Sequence, residues 1–115
     1  MLSYFKTIDG RIRAVPEWEP GCWINCIMPT EDEINGLIHD FSIEPDFFRA
    51  AMDEEESSHI DSEDGNTLII IDIPAVERNG REITYITTPL GIILTEKNVI
   101  TVSTRENPLL DEFAE

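Results

Sequence analysis

The run Leu68-Ile69-Ile70-Ile71 constrains this chain most. Four consecutive apolar residues, three of them β-branched, are too short for a helix and suit a strand. In a strand successive side chains point to opposite faces. A strand apolar at every position therefore wants cover on both faces, so this run reads as a central strand. The chain has 115 residues, enough for one core and too few for a second domain.

Around that strand the chain repeats one rhythm: apolar run, polar turn, apolar run. Asp9-Gly10 lies between residues 2–8 and 11–15, and Asn79-Gly80 between 75–78 and 82–88. Both dipeptides are strong hairpin signals, because tight hairpin turns need positive φ. Gly65-Asn66 separates residues 59–62 from 67–73, and Glu96-Lys97-Asn98 separates 92–95 from 99–103. Residues 21–28 read as a buried strand that Pro29 ends. Pro74 is expected to close the central strand, and Pro89 with Gly91 to interrupt the one after it.

Two helices interrupt the strands. Thr30-x-x-Glu33 is a capping box, and Glu31, Asp32 and Glu33 suit the positive end of the helix dipole. Ile34, Leu37, Ile38 and Phe41 follow at helical spacing, with His39 off that stripe. Pro45 opens a shorter helix carrying Phe47, Phe48 and Met52. Residues 107–115 read as the start of a third. The expected class is α+β: a mixed, mostly antiparallel sheet of about six to seven strands packed with two or three helices. Trp23, Ile34, Leu37, Ile38, Phe41, Phe48, Ile69, Ile71, Ile93 and Ile100 are the expected core.

The chain carries 24 acidic and 8 basic residues, a net charge of −16. Thirteen of the acids and only Arg49 among the bases lie between Glu31 and Asp64. Such a surface repels phosphate backbones, so nucleic acid and anionic membranes are poor partners and cations or a basic protein are natural ones. Cys22 and Cys26 lack the companions of a zinc site and read as reduced core thiols. No apolar run approaches the roughly 20 residues of a membrane span, and the start lacks a signal-peptide layout, so the segment reads as soluble. Asp61-Ser62-Glu63-Asp64-Gly65 fails as an EF-hand, since Gly65 at the sixth position would put Ile60 first. No phosphate loop, dinucleotide fingerprint or nucleophile elbow occurs. The residues therefore read as no enzyme.

One ordered set of strings adds information. Trp23-Ile24-Asn25, Pro29-Thr30-x-x-Glu33-Ile34 and Asp53-Glu54-Glu55-Glu56 come first. Leu68-Ile69-Ile70-Ile71-Asp72-Ile73-Pro74, then Tyr85-Ile86-Thr87-Thr88-Pro89-Leu90-Gly91-Ile92-Ile93-Leu94, then Val99-Ile100-Thr101-Val102 continue it. In this order they resemble the N-terminal cytosolic domain of CorA-type magnesium transporters. The resemblance implies a regulatory, cation-sensing domain of a magnesium and cobalt transporter, at the cytoplasmic face of the cell membrane. Residues 1–115 would be that single domain, with the stalk helix, the transmembrane helices and the Gly-Met-Asn loop absent. Such a piece does not conduct ions or insert in a membrane. Its implied partners are divalent cations and the neighbouring subunits of a homo-pentamer. In the family, Mg2+ bound between subunits holds the pore shut. Some members carry an acidic pair where this chain has Arg49 and Ala50. That moves the expected metal site to Asp53, Glu54, Glu55 and Glu56, binding Mg2+ weakly, with Co2+ as a second candidate. The competing reading is an acidic interaction module that docks a basic partner.

Overall fold

The computed structural model describes residues 1–53, 55–96 and 98–105. The expected third helix, 107–115, lies outside the described residues, as do Glu54 and Lys97. Three strands come first: β1 (Leu2–Ile8), β2 (Arg11–Val15) and β3 (Trp23–Ile27). Helices α1 (Glu31–Phe41) and α2 (Pro45–Ala51) follow. Four more strands complete the chain: β4 (His59–Glu63), β5 (Asn66–Asn79), β6 (Glu82–Leu94) and β7 (Val99–Ser103). They form one seven-stranded sheet in the order β2-β1-β3-β7-β6-β5-β4. Every neighbouring pair is antiparallel except β3 and β7. This is the mixed α+β sheet that the residue pattern implies.

The turns follow local chemistry. Asp9 and Gly10 both take positive φ, as the expected hairpin requires. At the next hairpin the turning pair is Asp64-Gly65 (φ 52° and 83°), one residue earlier than Gly65-Asn66. Aspartate tolerates the left-handed region, while Asn66 is drawn into the ladder opposite Glu63.

The prolines do not divide the strands as expected. β5 runs through Pro74 and β6 runs through Pro89 and Gly91. The reason lies in where the outer partners stop. β4 pairs with β5 only as far as Ile70, and β7 pairs with β6 only from Leu90. Pro89 stands one residue and Pro74 four residues past those limits, and among the described residues no third strand pairs there, so a missing N–H breaks no ladder.

Thr30 caps α1 as expected. Its Oγ1 accepts from the Glu33 N–H at 3.1 Å, and the Glu33 carboxylate accepts from the Thr30 N–H at 2.9 Å. Both helices cover one face of the sheet. There Leu37, Phe47 and Phe48 pack with Ile24, Leu68, Ile70, Ile93 and Ile100. Cys22 and Cys26 are buried in the same core as free thiols.

The expectation that both faces are covered is therefore corrected. The other face holds a smaller cluster of Ile73 and Leu90 with Trp23 and Ile92, and Phe5 stacks on Trp23. Ile71 points to that face and is 39% exposed rather than buried. Trp23, Ile34, Ile38, Phe41 and Ile69 are half-buried, while Leu37, Phe48, Ile93 and Ile100 are fully inside.

α2 lies unusually close to β6. A Cβ added at Gly91 would stand 2.5 Å from the Cβ of Ala51. Glycine is required there by approach, not by φ. Gly91→Ala is expected to destabilise by about 1–3 kcal/mol through overpacking. Ile93→Ala, at the fully buried neighbour on the same face, is expected to lose about 2–5 kcal/mol. Urea unfolding of both variants checks this; a Gly91→Ala chain as stable as the parent would mean α2 does not seat on β6.

Candidate functional site

The expected acid cluster forms a turn beyond α2. That helix ends at Ala51 with Met52 as its cap, so its last turn holds Arg49 rather than acid. Arg49 Nη1 sits 2.7 Å from Asp46 Oδ1 on the exposed face. Asp53 Oδ1 accepts from the Glu55 N–H at 2.9 Å, and the Glu56 N–H donates to the Asp53 carbonyl at 3.1 Å. Glu56 also approaches His59 Nδ1 at 3.5 Å, and that nitrogen donates to the Ser57 carbonyl at 2.6 Å. Glu54 is outside the described residues.

Chemically this donor set suits a hard cation. Asp53 and Glu55 are exposed carboxylates, and each keeps oxygen lone pairs free of the turn's own bonds. Mg2+ takes oxygen ligands and retains several waters, so exposed carboxylates match its demands. Arg49 supplies no ligand, and its ion pair with Asp46 engages the nearest other acid on α2.

The fold gathers a different acidic group more tightly. Among the described residues, Glu44, Glu63 and Asp64 have carboxylate oxygens within 4.8 Å of one another. Asp53, Glu55 and Glu56 are not gathered in this way. Glu44 precedes α2, and the other two close the β4–β5 hairpin. The two loops are tied by Asn66 Nδ2, which donates to the Ser42 carbonyl at 3.0 Å. Nothing local marks Glu44, because the tie spans 24 residues.

A groove lies between α1 and the N-terminal strands, with a volume of about 340 Å³. Tyr4, Trp18, Ile24, Leu37 and Phe41 line its apolar floor, and Asp32, Glu33 and Asp40 stand at its rim. Trp18 meets Phe41 edge-on at 5.8 Å. Burial raises the Tyr4 phenol above its ordinary value. Sequence reading missed this groove: Trp18 sits in the Pro16–Pro20 loop, with no periodicity to show what it packs against. Cys26 lies beneath the same region, and burial pushes its thiol up to about 12. A thiol held protonated is neither a nucleophile nor a metal ligand.

A one-sided mixed sheet with an acidic flank thus defines an α+β domain of about a hundred residues. The family model described as CorA-like Mg2+ transporter protein matches residues 18–115, and the chain belongs to that family. The fold is similar to that of the soluble domain of CorA from Methanocaldococcus jannaschii. The TM-score is 0.76 at 22% identity, over 97% of this chain and 44% of that one. The complete structure of the CorA magnesium transporter from the same organism is similar at TM-score 0.77 and 18% identity, over 97% and 35%. This chain therefore spans less than half of either. No curated protein matches it. The family is one of transporters rather than enzymes. Among the described residues, no helix is long and apolar enough to cross a membrane.

The capping box at the groove's rim sets a pH dependence. The Thr30 backbone bond, followed by the N-terminal ammonium, holds the Glu33 carboxyl below its usual value. A depressed carboxylate stabilises the fold above its unfolded-state value, and that stability is lost as pH falls through the folded one. Thr30→Ala is expected to cost about 1 kcal/mol at neutral pH. Glu33→Gln is expected to destabilise at neutral pH and to lose its effect in acid. Denaturant midpoints from neutral to acid pH check this; a Glu33→Gln deficit that persists undiminished in acid would assign it to packing.

Proposed function

We propose that this chain is the cytosolic, cation-sensing domain of a CorA-like divalent metal ion transporter. The observation that carries the reading is the family match over residues 18–115 combined with a fold similar to the soluble domain of CorA. In this reading residues 1–115 are the N-terminal domain of a longer chain, and the stalk and transmembrane helices belong to the remainder. The 35% of the complete CorA transporter that the chain spans supports that division. The whole protein moves Mg2+ across the membrane, with Co2+ as a second cargo. It works as a homo-pentamer with this domain at the cytoplasmic face. The domain itself performs no catalysis.

Its regulatory contribution is weak binding of Mg2+ through Asp53, Glu54, Glu55 and Glu56. The exposed carboxylates of Asp53 and Glu55 support this role, since Mg2+ takes oxygen ligands and retains several waters. Loss of the ion would then leave uncompensated acid beside α2 and loosen the contact with a neighbouring subunit.

A chain at −16 attracts any cation, so the test must separate a site from diffuse screening. At about ten times its dissociation constant a bound ion adds about 1.4 kcal/mol of stability. MgCl2 is expected to raise the melting temperature more than NaCl of equal ionic strength. Asp53→Asn with Glu56→Gln is expected to remove most of that difference, and Glu63→Gln with Asp64→Asn to leave it. Equal stabilisation by matched NaCl would reduce the acid cluster to solvated surface.

A further inference from the structure

The β5–β6 ribbon outruns its sheet. Among the described residues, no third strand pairs with these two beyond Asp72 and Pro89. Side-chain parity identifies the face that emerges. Leu68 and Ile70 lie under the helices, and Gly91, opposite Ile70, meets Ala51 of α2. The same face continues outward as Val76 opposite Tyr85 and Arg78 opposite Ile83. α2 has only seven residues and does not reach them. Val76 is 36% exposed, Ile83 52% and Tyr85 80%. The tip adds Arg81 to Arg78, two of the chain's eight basic residues. Glu77 and Glu82 balance these charges at the tip, but by parity they fall on the opposite face, where Glu77 pairs with Arg105. The face that carries Val76, Ile83 and Tyr85 is thus apolar with Arg78 at its end, on a strongly acidic protein.

The groove beside α1 has the opposite character: an apolar floor with Trp18, Leu37 and Phe41, and a rim of Asp32, Glu33 and Asp40. No ribbon residue lines it. It lies over β1 and β3, and β7 separates β3 from β6 in the sheet, so arm and groove of one copy do not meet.

We infer that the β5–β6 ribbon of one copy seats in the α1 groove of a second copy. The Tyr85 ring and Ile83 enter the groove beside Trp18 and Phe41, where an aromatic group buries the most apolar area. Arg78 and Arg81 pair with the rim carboxylates through charge-assisted bonds. Because the two surfaces differ, the contact is head-to-tail. The first copy keeps its groove free and the second its arm, and repetition yields a ring or an open chain. Two chains at −16 repel at long range, but at about 0.15 M salt the Debye length is only about 8 Å, so the local complementary contact decides. The basic partner that the acidic face calls for is in this reading the protein's own arm. The inference rests on these two surfaces and not on the transport role.

Disulfide trapping tests it. Tyr85→Cys places a thiol on the arm, and Gly36→Cys places one at the groove, where a Cβ at Gly36 meets nothing within 4 Å. The native cysteines are buried and do not compete. One variant carries a larger tag, both are checked for folding by circular dichroism, and they are mixed under mild oxidation at about 0.15 M salt. The mixed heterodimer is expected to outweigh either homodimer, and a chain with both substitutions to form a ladder beyond dimer. Arg78→Glu with Arg81→Glu in the arm variant is expected to lower the trapped heterodimer at least about tenfold, since like charges would then face the rim. A heterodimer no more abundant than the homodimers, or one indifferent to the charge reversal, overturns the contact. Concentration-dependent amide shifts in the unmodified chain give a second reading. Shifts at both Tyr85 and Phe41 support the arm-in-groove contact, and shifts confined to any other surface overturn it.

Discussion

The parallel pairing of β3 with β7 holds the structure together. All other strand pairs are antiparallel, and most are hairpins that form between close neighbours in the chain. Left to those alone, the three N-terminal strands and the four-stranded β4–β7 meander would be two separate sheets, and the core that Ile24 shares with Leu68, Ile93 and Ile100 would be split between them. Joining them requires contacts across 76–78 residues, and side chains supply part of it. Trp23 Nε1 donates to Thr101 Oγ1 at 2.8 Å, and that hydroxyl donates to Asn25 Oδ1 at 2.9 Å. Asn98 Nδ2 donates to the Cys22 carbonyl at 2.9 Å. Donors that find partners across this seam fix register as well as stability, because a slipped strand would leave them unpaired.

Once the halves are joined, the helices have one place to go. The chain between β3 and β4 crosses a single face, and both helices lie there. This explains why Leu68 and Ile70 are deeply buried while Ile69 and Ile71, equally apolar, are not. Composition counts all four alike; only topology assigns them to different faces. The close seat of Ala51 on Gly91 marks where α2 is pressed onto the sheet. The brevity of that helix leaves the helix-side face of the outer ribbon exposed at Val76, Ile83 and Tyr85.

What was legible in the residues was local. The capping box at Thr30, the Asp9-Gly10 turn and the helical stripe ending at Phe41 each depend on contacts a few residues apart. The expected strand breaks at Pro74 and Pro89 failed for a non-local reason. A proline is costly only where its N–H is needed, and that depends on whether a third strand runs alongside. The acidic region shows the same division. Asp53, Glu55 and Glu56 make a turn among themselves, as neighbours in sequence do. Glu44 joins Glu63 and Asp64 only because Asn66 reaches the Ser42 carbonyl.

Net charge hides this sorting. The fold puts Arg11 and Arg13 on the β2 edge and Arg78 and Arg81 at the ribbon tip, with Glu77 and Glu82 on the tip's other face, while thirteen of the acids lie between Glu31 and Asp64, along the helices and β4. At physiological ionic strength each patch is felt only within about a Debye length. An approaching cation or protein therefore meets a local sign, not the sum of −16. Opposite patches on separate elements also mean that two copies can attract in one orientation while repelling in most others. Orientation-dependent attraction of this kind favours specific assembly over random aggregation, and it is why so acidic a chain can still present a surface for its own kind.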